Sequence, residues 1–276
     1  MAKRILSTLI LWTIVVLCVR YFGSTGGIWL ITLIAALTLR EFFGLVERMG
    51  LHPFSRFAIA AGVVITLAPR YLSPHVPALD AGLLLALATV ILAVRILGER
   101  GPENRVETLG WTLFGLFYVP YLLHYLSSIM MIEHPHPLTG LVLCVWLIAV
   151  SKFCDTGALL TGLAFGRHKM APGISPKKTW EGALGGVCTS ALVGAVLAWL
   201  CRSYLPPTLT PALGAAFAVP IALVTIVSDL VESVIKRRAD IKDTGGTIPG
   251  IGGVFDLSDS LILSAPVGYA LFKLFL

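Results

Sequence analysis

Charge is scarce in this sequence of 276 residues. Only 13% of them are Asp, Glu, Lys or Arg, whereas soluble domains usually carry ~25%. Apolar residues make up 57% of the chain, which excludes an ordinary soluble globular protein. The chain has 27 glycines and 16 prolines, which is fewer than collagen-like or low-complexity chains contain.

Cysteine is also sparse. The five cysteines form no CxxC pair, so neither a disulfide framework nor a zinc site is indicated. The N-terminus has the basic and then apolar layout of a signal peptide. It lacks a small-residue cleavage motif, so we expect it to remain as the first membrane span.

Long apolar runs dominate what is present. A helix of about 20 residues crosses the ~30 Å hydrocarbon core of a bilayer, and runs of that length predict an all-α polytopic integral membrane protein with about nine transmembrane helices. The predicted spans are residues 5–22, 27–46, 56–73, 79–98, 109–127, 139–162, 183–202, 211–230 and 258–275. The Gly-Ser-Thr-Gly-Gly segment after Phe22 predicts a tight hairpin between the first two. We expect one membrane domain, with N-terminal helices in 1–138 and C-terminal helices in 139–276.

The basic residues predict the orientation. Cytoplasmic loops of membrane proteins carry an excess of Lys and Arg. With nine spans and a cytoplasmic N-terminus, 17 of the 21 Lys and Arg residues lie inside, and only Arg20, Arg70, Arg202 and Lys273 lie outside. The net charge of +6 therefore suits loop orientation and anionic headgroups better than nucleic acid. Any chemistry is expected at the cytoplasmic face.

A first polar cluster surrounds the end of the sixth predicted span. Lys152 and Asp155 lie three residues apart on one helix, as a structural ion pair or as site residues. Ser175-Pro176 has the layout of a helix N-cap followed by proline, which predicts that Lys177 and Lys178 lie in a first helical turn and bind an anion. The alternative is that these cations only set the orientation.

A second cluster follows the eighth span. If that helix continues past the membrane, Asp229, Glu232, Ser233, Lys236, Asp240 and Asp243 share one face. Two carboxylates and a lysine would then be neighbours. The alternative is a solvated amphipathic helix end.

The third cluster is the glycine-rich stretch between Thr244 and Gly253, followed by Asp256 and Asp259. Glycines let backbone amides approach phosphate closely, and hard carboxylate oxygens suit Mg²⁺. The two acids could instead complement a helix dipole. The coincidence of three such clusters on one predicted face favours a nucleotide–metal site.

The C-terminal part of the chain resembles the phosphatidate cytidylyltransferases, also called CDP-diacylglycerol synthases. The family signature is matched in spacing from Ser233 to Asp259, and the segment Ser175-Pro-Lys-Lys-Thr-Trp-Glu-Gly resembles a second family block. The matching signature positions are Ser233, Lys236, Arg237, Lys242, Asp243, Gly245, Ile248, Pro249, Gly252, Gly253, Asp256 and Asp259. Asp155 resembles the aspartate of the preceding family helix. Residues 151–260 carry the resemblance.

The resemblance implies an enzyme that joins CTP and phosphatidate to give CDP-diacylglycerol and pyrophosphate, with Mg²⁺ as cofactor. The implied catalytic residues are Asp229, Lys236, Asp243, Asp256 and Asp259, of which Asp229, Asp256 and Asp259 would bind the metal. The implied substrate-binding residues are Ser175, Lys177, Lys178, Thr179, Ser233, Arg237, Lys242, Gly252 and Gly253. Glu181 and Glu232 are expected to support them.

Two positions depart from the family pattern. Ile251 stands where the family usually has His, and Leu257 where it usually has Arg. If those side chains donate a proton or hold a phosphate in the family, this chain must do so differently. The carboxylates and lysines are retained, so the metal and phosphate chemistry is expected to persist.

Two other functions compete with this interpretation. A membrane kinase that uses CTP on a lipid alcohol would share the nucleotide site but release CDP. A transporter would use Lys152 and Asp155 as an ion path, but the charged residues cluster on one side and no paired broken helices are evident. We expect a bacterial inner membrane location and no nucleic acid partner. The glycines of the seventh span, such as Gly182, Gly185, Gly186 and Gly194, would allow close packing within the chain or in a homodimer.

Overall fold

The structure is a computed structural model. It describes residues 2–98, 104–241, 244–245 and 252–276, with side chains from Thr13 onward. The described chain is almost entirely helical. The helices are α1 (Ala2–Arg48), α2 (Ser55–Tyr71), α3 (Ala81–Leu97), α4 (Arg105–Leu116), α5 (Leu122–Met130), α6 (Thr139–Phe165), α7 (Trp180–Leu200), α8 (Pro211–Arg238), α9 (Val254–Ile262) and α10 (Ser264–Phe275). One hairpin of two short strands, β1 (Lys169–Ala171) and β2 (Ser175–Thr179), separates α6 from α7.

The helices agree with an all-α membrane protein. Within the described residues, six helical segments are long and apolar enough to cross a bilayer, by length and composition alone. They are Thr13–Arg48, Arg105–Met130, Thr139–Phe165, Trp180–Leu200, Pro211–Arg238 and Val254–Phe275. The predicted spans 56–73 and 79–98 correspond to α2 and α3, two shorter helices of 17 residues each. The predicted number of nine transmembrane helices is therefore not confirmed.

The two spans predicted before residue 46 belong to one helix, α1, which is broken at a single residue. Gly23 has a non-helical backbone with φ 56° and ψ −140°, a left-handed region that glycine adopts without steric cost. A Cβ atom built on Gly26 would lie 2.5 Å from the Cys18 carbonyl oxygen. Residues eight positions apart in a straight helix are separated by about 12 Å, so α1 bends sharply here.

The described residues divide into two compact units. The first comprises Met1–Ser128 and Arg238–Ser258, and the second comprises Ile129–Arg237 and Asp259–Leu276. In the first unit, Phe42 and Phe43 of α1 are fully buried and lie against Gly115 of α4, where an added Cβ would meet the Phe42 ring at 2.6 Å. Between α4 and α5 the helix widens into a π turn at Phe117–Tyr121. Pro120 lies in that turn and has no N–H to donate.

Glycines let α6 and α7 of the second unit approach each other closely. A Cβ on Gly186 would lie 2.8 Å from the Cys154 carbonyl oxygen, and one on Gly185 or Gly157 would collide with Thr161 or Thr189. The Trp146 indole N–H donates to the Gly194 carbonyl at 2.9 Å. The small-residue face of α7 is thus used inside the chain. A homodimer stays a prediction.

The prediction that a helix begins at Ser175 is wrong. Ser175–Thr179 is strand β2, paired antiparallel with β1 so that Lys169 faces Thr179 and Ala171 faces Ser175. The helix begins at Trp180 because Thr179 is its N-cap: its backbone is extended and its Oγ1 accepts the Gly182 N–H at 3.1 Å. The two lysines before Thr179 are therefore on a strand.

The shared face from Asp229 to Asp243 required α8 to continue through these residues, and among the described residues this condition is not met at Asp240. The helix ends at Arg238, and Asp240 has a left-handed backbone with φ 55°. Aspartate tolerates this conformation, which commonly ends helices two residues after the last turn. Asp240 therefore does not continue the face that carries Asp229, Glu232 and Lys236.

Candidate active site

Three carboxylates of the second unit converge at one point. Asp229 and Glu232 are three residues apart on one face of α8, and Asp259 comes from α9. One carboxylate oxygen from each lies within 4.8 Å of the others. Glu232 and Asp259 are buried, whereas Asp229 is half-buried. Buried carboxylates require compensating charge, either from cationic side chains or from a metal ion.

Three lysines supply that charge. Lys178 Nζ lies 2.6 Å from Asp229 Oδ2 and Lys236 Nζ lies 2.9 Å from Glu232 Oε2. Lys152 Nζ lies 3.8 Å from Asp259 Oδ1. Each carboxylate of the cluster therefore has a lysine partner on a different element: β2, α8 and α6. The formal charges of these six groups sum to zero.

Lys152 and Asp155 form the ion pair that the sequence suggested, at 3.9 Å. The pair is not isolated, because Lys152 also donates to the Ser260 hydroxyl at 2.6 Å and faces Asp259. Ser228 donates its hydroxyl to the Asp259 carbonyl oxygen. Side chains of α6 and α8 thus both hold the part of the chain that carries Asp259.

The β-hairpin brings Lys178 to the cluster. Its base is held by Glu181 on α7, whose carboxylate accepts the backbone N–H groups of Arg167 and His168 at 3.1 and 3.2 Å. The ring of His168 also contacts this carboxylate at 2.5 Å. Arg237 on α8 donates to the Ile174 carbonyl at 3.5 Å. These contacts fix the strand from which Lys178 extends.

A cavity of about 530 Å³ opens beside the cluster. Its polar wall includes Asp155, Asp229 and the lysines Lys169, Lys177 and Lys178. Apolar side chains of α6 and α8 also line it: Leu159, Leu163 and Ile226. A cavity lined by both cations and apolar helix side chains suits a ligand that has both a phosphate and an apolar part.

Asp256 lies in the first unit, where its carboxylate accepts backbone N–H groups. Oδ2 accepts the Gly253 N–H at 2.9 Å and the Thr244 N–H at 3.3 Å. The amide of Gly253, which the resemblance assigned to a substrate, is therefore already hydrogen-bonded to Asp256. Gly252 has φ +126°, a conformation that glycine adopts readily.

The remaining predicted residues are placed as follows. Ser175 begins β2, Lys177 and Thr179 line the cavity, and Thr179 also caps α7. Ser233 is half-buried on α8, next to Glu232. Lys242, Asp243 and Ile251 lie outside the described residues, and Leu257 is half-buried on α9.

Sequence reasoning missed several residues. Lys169 lines the cavity, but in the sequence it is one more loop cation. Glu232 was assigned a supporting role, yet it is one of the three converging carboxylates. Glu41 on α1 accepts the Phe255 N–H at 2.9 Å. An acidic residue inside a long apolar run could have drawn attention to Glu41.

These features define the class of protein: a helical membrane protein with a buried acidic cluster, each carboxylate of which faces a lysine. The sequence pattern of the cytidylyltransferase family matches residues 2–275. The chain belongs to this family.

Its relatives include proteins named phosphatidate cytidylyltransferase. The one from Synechocystis is 30% identical over 97% of this chain and 94% of its own length. The one from Pseudomonas aeruginosa is 36% identical over 79% of this chain and 78% of its own length. A chloroplastic relative from Arabidopsis thaliana, phosphatidate cytidylyltransferase 5, is 34% identical over 91% of this chain and 69% of its own.

Proposed function

We propose that the protein is a phosphatidate cytidylyltransferase. It would transfer the cytidylyl group of CTP to the phosphate of phosphatidate, giving CDP-diacylglycerol and pyrophosphate. The observation that carries the proposal is the cavity that Lys169, Lys177, Lys178 and Asp229 line together with apolar helix side chains. Such a site suits a lipid phosphate, and the names of the relatives agree with it.

The proposed reaction joins two anions. An oxygen of the lipid phosphate attacks the α-phosphorus of CTP, a new P–O bond forms, and the bond to the β-phosphate oxygen breaks. Catalysis of such a transfer depends mainly on positioning and on neutralising charge. Lys177 and Lys178 would hold phosphate oxygens, and Lys169 would extend the cationic wall. Lys236 would keep the Glu232 carboxylate in place.

The proposed cofactor is Mg²⁺, held by Asp229, Glu232 and Asp259. The donor set fits, because the ion prefers carboxylate oxygens, and one oxygen of each of these three carboxylates lies within 4.8 Å of the others. The charges fit as well, since the lysines already balance the carboxylates and a triphosphate adds further negative charge. When bound, the ion would neutralise phosphate oxygens. Asp256 stays a predicted ligand by resemblance.

We further propose nine membrane crossings with the N-terminus in the cytoplasm. Each half of the bent helix α1 would cross once, and the shorter helices α2 and α3 would cross as well. The excess of basic residues in the inner loops supports this orientation, and it places the β-hairpin and the cavity at the cytoplasmic face. The bacterial relatives support an inner membrane location.

The test is a direct assay. The purified protein in detergent micelles is incubated with CTP, phosphatidate and Mg²⁺, with and without EDTA, and both products are quantified. We expect CDP-diacylglycerol and pyrophosphate in equal amounts, and neither of them with EDTA. Asp229→Asn should lose both products, whereas Glu133→Gln, which alters an exposed loop carboxylate, should keep them. Release of CDP in the presence of a lipid alcohol would instead identify a kinase.

A further inference from the structure

Glu41 is an acidic side chain within the long apolar helix α1. Its neighbours Phe42 and Phe43 are fully buried, and Glu41 itself is half-buried. Ionisable residues in membrane spans are costly to keep and usually have a specific partner. The proposed reaction does not use Glu41, so its contacts within the first unit require an explanation.

The carboxylate of Glu41 is bonded to the start of α9. Oε2 accepts the Phe255 N–H at 2.9 Å and the Thr244 hydroxyl at 3.5 Å. One helical turn earlier on α1, Thr38 shares a hydrogen bond of 2.8 Å with the Ser258 hydroxyl and donates to the Val254 carbonyl at 3.5 Å. Two side chains of α1 therefore bind both N–H and C=O groups in the first turn of α9.

The sequence before α9 explains why the acceptor comes from another helix. The first N–H groups of a helix lack partners within it, and a Ser, Thr, Asp or Asn at the N-cap usually accepts one. The residue before Val254 is Gly253, which has no side chain to do so. Asp256 accepts the Gly253 N–H, and Glu41 accepts that of Phe255. A negative charge at this helix end is also favourable to the dipole.

The glycine at position 253 leaves room for this carboxylate. A Cβ atom built on Gly253 would collide with Glu41 Oε2 and with the Thr244 hydroxyl. Thr244 is tied to the same place twice, since its N–H donates to Asp256 and its hydroxyl to Glu41. Glu41 thus holds Thr244 and Phe255 together, 11 positions apart in the sequence.

We infer that Glu41 is a positioning residue for the proposed reaction: its carboxylate fixes the backbone at the start of α9, the helix that carries Asp256 and Asp259. Glu41 touches no substrate in this role, and it acts by accepting hydrogen bonds. The inference rests on the proposed function for its effect on turnover. Its structural part, the bond to the Phe255 N–H, can be measured without any substrate.

The experiment compares Glu41→Ala, Glu41→Gln and Glu47→Ala. Glu47 is an exposed glutamate on the same helix and serves as the matched control. Hydrogen–deuterium exchange of peptides covering residues 252–258 is measured without ligands, and kcat and KM for CTP are measured with phosphatidate and Mg²⁺.

We expect Glu41→Ala to raise exchange at Phe255 at least tenfold and to lower kcat by about 10- to 100-fold, the scale of a misplaced reacting group. Glu41→Gln keeps an oxygen acceptor and should stay within about threefold of the wild type, which a purely electrostatic role would not allow. Glu47→Ala should match the wild type in both measurements. The inference would be overturned if Glu41→Ala exchanged at Phe255 at the wild-type rate. It would also be overturned if Glu41→Ala lost turnover without a rise in this exchange.

A second variant tests the role of Glu41 if Glu41→Ala does not fold. Gly253→Ala leaves Glu41 in place but puts a methyl group where its carboxylate lies, so exchange at Phe255 should rise as well; unchanged exchange would overturn the inference. A wild-type protein that protects Phe255 but forms no CDP-diacylglycerol would instead contradict the proposed function. The two failures are thus distinguishable.

Discussion

Asp256 and Asp259 lie three positions apart, but their carboxylates have different surroundings. The carboxylate of Asp256 accepts two backbone N–H groups, whereas that of Asp259 joins two other carboxylates and faces Lys152. A helix cap needs only an oxygen lone pair that accepts an N–H group. A carboxylate that binds a metal ion beside lysines needs its negative charge as well. Substitution by the isosteric amide therefore separates the two roles.

If Asp256 is also a metal ligand, as the resemblance implies, Asp256→Asn is expected to lower turnover by at least 100-fold while the protein stays folded, because the amide still accepts hydrogen bonds but no longer attracts a cation. Formation of CDP-diacylglycerol and thermal unfolding in detergent measure the two properties. Near-normal turnover would remove Asp256 from the metal site. It would then be a helix cap, and Asp256→Ala would cost about 0.5–2 kcal/mol of stability.

Lys178→Met is expected to raise KM for CTP at least tenfold. The substitution keeps the length of the side chain but removes the charge that lies 2.6 Å from Asp229 and lines the cavity. An uncompensated carboxylate would then repel the phosphates. The measurement is the dependence of CDP-diacylglycerol formation on CTP concentration. Lys273→Met, at an exposed position of α10, is the control; an unchanged KM in Lys178→Met would exclude its phosphate role.

At the scale of elements, backbone proximity rather than side-chain interdigitation joins α6 to α7. Apolar surface gives helices little reason to associate in lipid, so small residues that allow close contact stabilise such pairs. Gly157, Gly185 and Gly186 lie at this contact. The hairpin that carries Lys178 connects these two helices, so their contact also supports the site.

Gly186→Ala is expected to destabilise the protein by about 1–3 kcal/mol, the usual cost of overpacking, because the new methyl group would lie 2.8 Å from the Cys154 carbonyl. Gly110→Ala is the matched change on α4, where a Cβ meets nothing within 4 Å. It should be neutral or stabilising, since alanine favours a helix over glycine by roughly 0.5–1 kcal/mol. Thermal unfolding in detergent measures both; equal stabilities would contradict the close contact.

At the scale of the whole molecule, the charge distribution predicts the orientation. Nine crossings would place 17 of the 21 Lys and Arg residues on one side, and such an asymmetry orients membrane proteins. Gly173 lies in the hairpin and Ser203 follows α7, so the candidate span Trp180–Leu200 separates them. Both are exposed.

Cysteines introduced by Gly173→Cys and Ser203→Cys, in a chain whose five natural cysteines are replaced, should react from opposite sides of intact cells. A membrane-impermeant maleimide should label position 203 without lysis and position 173 only after lysis. Retained CDP-diacylglycerol formation shows that each variant is folded. The reverse labelling pattern would invert the proposed orientation and place the site outside.

Local patterns predicted much of this protein. The apolar runs predicted helices wherever the structure has long ones, and the fixed gaps between Ser233 and Asp259 indicated the family that the comparison confirms. One local pattern with two possible outcomes led to a wrong prediction. Ser175-Pro176 is compatible with a helix start or a strand, and pairing with β1 decides for the strand.

The sequence by itself determined the class, the family and most of the charged residues, because composition and spacing are properties of the chain alone. Only the tertiary structure decided which charges meet: Lys178 with Asp229, Lys152 with Asp259, and Glu41 with Phe255. These partners are distant in sequence and share no pattern. They come together when the helices pack, because burying a carboxylate or an N–H group without a partner costs free energy.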